Sequence, residues 1–246
     1  MKSINLCYLL LVLLITTSCN KPEAPDFIKT TGTITTEERI LEPFTEIELY
    51  NKINLVITQD SLQSVHVEAG KNLLSEITTE VKDGRLKIKN LNKFKFLRSY
   101  KKDVTVYVSL PHLWHLIYRG AGNITSANTI TDSTLTFDSY TGTRNIELSV
   151  KLREGHFNVS TGPCDILLHG SVGVNYIYNG GNGYINAEDL QTGYTFVTNA
   201  GTNDMKINVD KVLFAKISYL GNIYYKGNPY DLSYDITDKG QLIKYE

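Results

Sequence analysis

One pattern constrains this chain more than any other: between Gly120 and Gly227 a Gly-containing turn, a polar residue and a short alternating apolar segment return about every twenty residues. The units begin GAGNITSA at Gly120, TGTRNIELSV at Thr141, TGPCDILLHG at Thr161, GGNGYINA at Gly180, AGTNDMKINV at Ala200 and LGNIYYKG at Leu220. Superposing Ile124, Ile146, Ile166, Ile185, Met205 and Ile223 gives spacings of 22, 20, 19, 20 and 18 residues.

A period this short cannot supply the four strands of a propeller blade, and the segments between turns lack the 3.6-residue periodicity of helical repeats. It suits one coil of a parallel β-solenoid, with two or three strands of about four to seven residues per coil and side chains alternating between interior and solvent. The six aligned residues would then form one apolar interior ladder. Glycine is expected at the turns, where φ turns positive or where successive coils touch. Asn123, Asn145, Asp165, Asp204 and Asn222, each just before a ladder residue, suit turn backbone groups better than chemistry. An antiparallel meander with Gly-rich turns is the alternative fold.

The N-terminus speaks for export. Lys2 precedes the ten-residue apolar run Leu6 to Ile15, which is too short to span a bilayer and long enough for a signal core. Ile15-Thr16-Thr17-Ser18-Cys19 follows as a lipobox, so residues 1–18 read as a lipoprotein signal peptide and Cys19 as the lipidation site. Residues 19–43 would be the lipidated N-terminus and tether, with Pro22 and Pro25 in it. Two or three acyl chains anchor durably, at about 0.8 kcal/mol per buried methylene. The expectation is an exported lipoprotein of the outer membrane, with its periplasmic or cell-surface orientation open. Of three cysteines, Cys7 leaves with the signal and Cys19 takes lipid, so Cys164 remains as a single thiol with no disulfide partner.

Residues 44–246 form the expected folded domain, less regular over 44–111 and more clearly coiled over 112–227. Ile47 and Leu49, then Leu55 and Ile57, then Val65 and Val67 alternate as strands. Lys82-Asp83-Gly84 is a tight-turn signal between the strands Thr78 to Lys82 and Arg85 to Lys89. This N-terminal sheet would be a cap on the repeats or their first, irregular coils.

With a formal charge of −1 overall, the chain offers no global attraction for nucleic acid. Its charge is uneven, however: nine Lys or Arg stand between Lys82 and Lys102 against the single acid Asp83. Lys87, Lys89, Lys93, Lys95, Arg98, Lys101 and Lys102, with Phe94, Phe96 and Tyr100, are the candidate surface for an anionic ligand or a partner. In an extended strand Lys93 and Lys95 face away from Phe94 and Phe96. The bland alternative is a solvated strand face that protects a sheet edge. His112 and His115 fall on opposite faces of an extended chain, and neither a metal site nor a cofactor motif emerges. Tyr176, Tyr178, Tyr184, Tyr194, Tyr219, Tyr224, Tyr225 and Tyr230 make the later strands tyrosine-rich. Such a ladder would stack sugars, or cover the sheet and stack between coils.

The segments EPFTEIELYNKINLVITQ, VKDGRLKI and VYVSLPHLWHLIYRGAGNI, the Gly-centred repeats and the ending YLGNIYYKGNP together resemble the DUF2807 family, described as a putative auto-transporter adhesin head GIN domain. The resemblance spans Phe44 to Tyr245. It implies a right-handed β-helix, export as a lipoprotein in bacteria related to Bacteroides, and adhesion as the suggested role, and it carries no catalytic residue across. The expected function is therefore a noncatalytic, lipid-anchored envelope protein used for binding, adhesion or envelope organisation, with a glycan or an envelope protein as partner. Two alternatives stand beside it. One is a polysaccharide lyase or glycoside hydrolase on a β-helix, using carboxylates such as Asp132 and Asp138 or Asp165 and Glu188. The other is a sensing or assembly module for another envelope protein.

Overall fold

The structure, a computed structural model, describes residues 31–92 and 103–245. The first part of the chain holds β1 (Ile34–Glu38), β2 (Glu46–Asn51), β3 (Asn54–Gln59), β4 (Ser64–Gly70), a 3-10 turn at Leu74–Glu76, β5 (Ile77–Lys82) and β6 (Arg85–Asn90). β7 (Thr105–Leu110), β8 (His115–Gly120), β9 (Ile124–Ser126) and β10 (Ile130–Ser139) lead into four long strands. These are β11 (Ile146–Val159), β12 (Ile166–Asn179), β13 (Ile185–Asn199) and β14 (Met205–Ile217). β15 (Ile223–Lys226), β16 (Asp231–Ile236) and β17 (Leu242–Lys244) complete one 17-stranded sheet wound into a solenoid.

The coil strands are longer than their apolar pattern suggests, because pairing continues around a corner. In β11, Ile146, Leu148, Val150 and Leu152 point inward; the alternation then slips by one, and Phe157 and Val159 point inward again. A phase change in a strand turns its inner face through a bend. The neighbouring strand bends at the same place, since Leu152 pairs with Val172 and Glu154 with Val174. Each regular coil is thus a first leg, a corner, a second leg and a Gly-containing turn. The legs have the expected length, but the unbroken ladder joins them into strands of 13 to 15 residues.

Two interior ladders run the length of the stack. On the first legs, Val106, Leu55, Ile124, Ile146, Ile166, Ile185, Met205, Ile223 and Leu242 pair in succession. The six residues superposed from sequence are consecutive members of it, all buried, in parallel register. On the second legs the series is Leu86, Ile47, Leu116, Phe137, Phe157, Ile177, Val197, Ala215 and Tyr234.

The turns are satisfied from within and from the coil above. Buried Asn179 accepts a hydrogen bond from the Gly181 N–H at 3.1 Å and donates to the Gly183 carbonyl at 3.1 Å. Asn199 repeats this with Gly201 and Asn203. In an earlier turn the Tyr118 hydroxyl plays the donor part, reaching the Gly122 carbonyl at 2.6 Å. Asp165, Asp204 and Asn222 each accept a backbone N–H from the next coil, those of Tyr184, Asn222 and Gln241. Coils approach most closely at the turns: a Cβ on Gly183 would overlap the Cys164 carbonyl, and one on Gly122 that of Ile53.

The N-terminal region is both coil and cap. β2 lies parallel between β6 and β8, and β3 between β7 and β9, so the first strands are slotted among later ones. Above them β4, β5 and β1 pair antiparallel, with β4 on β7, β5 on β6 and β1 on β4. The Asp83-Gly84 hairpin has both residues at positive φ, 52° and 74°, as a primed two-residue turn requires. At the other end β16 pairs with β14 alone among the described residues, and every residue of it is exposed.

Candidate functional site: the outer face of the second legs

The outward side chains of the second legs form straight columns, because successive coils stack in register. The central column runs Arg85, Glu46, His115, Thr136, His156, Tyr176, Phe196, Phe214 and Ser233. Its upper half is charged and its lower half aromatic.

In the charged half, Arg85 grips Glu46, with Nη2 2.6 Å and Nε 2.7 Å from Oε2. His115 Nε2 lies 2.7 Å from Asp138, whose other oxygen accepts from the Asn158 amide at 2.9 Å. The next column holds Lys87, Glu48 and Ile117 in register. Glu48 is buried, takes hydrogen bonds from the Tyr50 hydroxyl at 2.6 Å and Arg119 Nε at 3.0 Å, and has Lys87 Nζ at 3.9 Å. Burial presses its carboxyl upward, but the bonds from Tyr50 and Arg119 and the charge of Lys87 outweigh this and hold it below the ordinary value. Tyr50 is raised in turn, first by its bond to Glu48 and then by burial. Lys89 lies over the Tyr50 ring at 4.8 Å and Arg119 over Tyr140 at 4.1 Å. A groove of about 330 Å³ lined by Glu46, Lys82, Asp83, Arg85 and Lys87 borders this network.

In the aromatic half, His156 stacks on Tyr176 at 4.7 Å between centroids and 8° between planes, and Tyr176 on Phe196 at 5.1 Å and 14°. Rings stacked along the solenoid axis cover one another's faces and turn their edges and hydroxyls to solvent. A sugar therefore cannot lie flat on a ring inside the stack, and this column does not offer the repeated stacking platform that a tyrosine-rich face suggests. What it offers is a flat, rigid stripe of ring edges. Phe214 follows Phe196 in the column, and Tyr178 and Tyr194 point outward beside it, all exposed.

Of the residues singled out from sequence as a ligand or partner surface, Lys87 and Lys89 belong to the charged half. Lys93, Phe94, Lys95, Phe96, Arg98, Tyr100, Lys101 and Lys102 lie outside the described residues, as does Cys19. The two histidines do find acids, one coil on: His112 Nδ1 is 3.1 Å from Asp132, as His115 is close to Asp138. Asp165 is engaged with the Tyr184 N–H, and Glu188 with Lys206 at 2.8 Å. Cys164 is fully buried, and burial pushes its thiol up to about 12, as for a side chain packed in the core. Among the described residues no three His, Cys, Asp or Glu gather to hold a metal ion, and no helix is long and apolar enough to cross a membrane. Sequence reasoning missed the Glu46, Glu48, Arg119 and Asp138 network. Its one signal was charge at outward positions of otherwise apolar strands.

Comparison with known proteins agrees with this architecture. The family described as DUF2807, putative auto-transporter adhesin, head GIN domain, matches residues 43–229. A crystal structure of a putative adhesin from Bacteroides fragilis superposes with a TM-score of 0.78 at 20% identity, over 87% of this chain and 97% of its own. A putative adhesin from Parabacteroides distasonis gives 0.70 at 18%, over 87% and 98%. A protein from the same species described as a putative lipid binding protein gives 0.64 at 21%, over 87% and 98%. No curated protein matches.

Proposed function

This chain belongs to the GIN-domain family described as a putative auto-transporter adhesin head, and from that premise we propose that it is a noncatalytic binding or adhesion module of the cell envelope, held to a membrane by lipid on Cys19. The observation that carries the reading is the second-leg outer face, where a charged network and an aromatic stripe follow one another along one continuous sheet. A flat face of this kind suits many weak contacts with an extended partner, either a polysaccharide held by its edges and hydroxyls or the surface of another envelope protein. The sheet needs no rearrangement to bind, so little ordering entropy opposes contact.

Presenting the full chain to a panel of envelope polysaccharides and outer-membrane proteins tests this reading. Saturable binding is expected, and the triple variant Tyr176→Ser, Phe196→Ser, Phe214→Ser should lose about tenfold or more while keeping its β-sheet spectrum. Unchanged binding by that variant, or none by the parent, contradicts it. The anchor is tested separately: Cys19→Ser should abolish acyl labelling and release the protein to soluble fractions, and persistent labelling places the lipid elsewhere.

A further inference from the structure

At the lower end of the solenoid the second-leg ladder ends open. β16 continues the second-leg ladder, so Leu232, Tyr234 and Ile236 hold interior positions against Leu213, Ala215 and Ile217. Nothing among the described residues covers them: they are 36, 62 and 38% exposed, whereas the residues above them are buried. One edge of β16 pairs with β14, and the other has no strand partner among the described residues. An apolar strand with an open edge is a template for another strand. On its outer side β16 carries Asp231, Ser233 and Asp235, the last 3.5 Å from Lys216 in the coil above. A strand added below would therefore match it with apolar residues inward and cations outward.

The chain contains such a segment. Residues 93–96 are Lys-Phe-Lys-Phe; extended, they put Phe94 and Phe96 on one face and Lys93 and Lys95 on the other. Whichever in-phase register they take, a lysine stands opposite or diagonal to an aspartate, and like charges do not meet. The segment cannot reach β16 of its own molecule. It leaves the upper end after Asn92 and returns at Asp103, and β6 is eight ladder steps from β16, about 38 Å at the usual strand spacing. Ten residues fixed at both ends extend about 18 Å at most.

We infer that residues 93–98 of one copy dock as an added strand on the free edge of β16 in a second copy, joining the upper end of one solenoid to the lower end of the next. The contact is heterologous, so it propagates into chains along the solenoid axis and does not close into a dimer.

Sedimentation of the purified full chain over a wide concentration range tests this. The parent should form oligomers that grow with concentration. Lys93→Glu with Lys95→Glu, and separately Asp231→Lys with Asp235→Lys, should each weaken association by about tenfold or more. All four changes in one chain should restore it to within about threefold of the parent. A parent that stays monomeric throughout assigns the edge to a different partner and overturns the inference. So does a fourfold variant that associates no better than either pair. Cross-linking gives a readout independent of charge reversal. In chains with Cys7→Ser and Cys19→Ser, Phe94→Cys mixed with Tyr234→Cys should form a mixed disulfide dimer that neither forms alone, with Cys164 buried and silent. Equal cross-linking in the unmixed samples would also overturn it.

Discussion

The two ends of this solenoid solve the same problem in opposite ways. A parallel coil stack leaves at each end a strand with a free edge and an open interior. At the upper end the chain reverses direction: β4 and β5 pair antiparallel on the outermost coil strands and β1 on β4, and Leu73, Leu74 and Ile77 are buried there. At the lower end the ladder simply runs out, and Leu232, Tyr234 and Ile236 keep inward positions with nothing beneath them among the described residues. Equivalent ladder positions therefore differ in worth according to how many coils lie on either side.

Substitutions along a ladder break this comparison most sharply. Ile166→Asn places an amide between Ile146 and Ile185 in a closed interior and should cost about 3–5 kcal/mol. Ile236→Asn makes the same chemical change on the last second-leg strand and should cost less than about 1 kcal/mol. Denaturant midpoints of the two variants give the contrast directly.

The next effect compares two tyrosines. Tyr118→Phe deletes the bond to the Gly122 carbonyl and leaves a turn oxygen without its donor, at about 1–3 kcal/mol. Tyr234→Phe, on the open strand, should fall within about 0.5 kcal/mol of the parent. Thermal unfolding of the pair reads both.

A smaller effect comes from acid. The Glu48 carboxyl is held below its ordinary value in the folded chain, so its contribution is complete above the unfolded carboxylate range and is lost as pH falls through the lower, folded value. Stability measured from neutral pH downward should therefore decline below about pH 4, and Glu48→Gln should flatten that part of the profile. A variant whose acid response matches the parent removes Glu48 from the account. Smallest is Asp235→Asn, which loses an exposed pair with Lys216 and should change folding stability by less than about 0.5 kcal/mol.

How much of this was legible beforehand differs between the same two regions. From Gly120 onward the period placed Ile124, Ile146, Ile166, Ile185, Met205 and Ile223 one above another, because each coil repeats the same local decision at nearly the same interval. Before Gly120 the individual strands were readable, as the alternation of Leu55 and Ile57 and the Asp83-Gly84 turn make plain. Their order was not. β2 sits between β6 and β8, partners about forty and seventy residues away, and no local pattern reports such a distance. The charged network was hidden for the same reason: Glu48 and Arg119 are 71 residues apart and His115 and Asp138 are 23 apart. Ring orientation was also beyond composition. The tyrosine count pointed to an aromatic face, but only stacked coils decide that rings show their edges.

Amide hydrogen exchange, followed strand by strand at dilute concentration, tests the contrast between the ends most directly. Slow exchange is expected in β11 to β13 and in the covered strands β2 and β6, and fast exchange in β16, whose outer edge has no partner among the described residues. Equal protection of β16 and β12 under those conditions, or an upper end that exchanges as fast as β16, would contradict it.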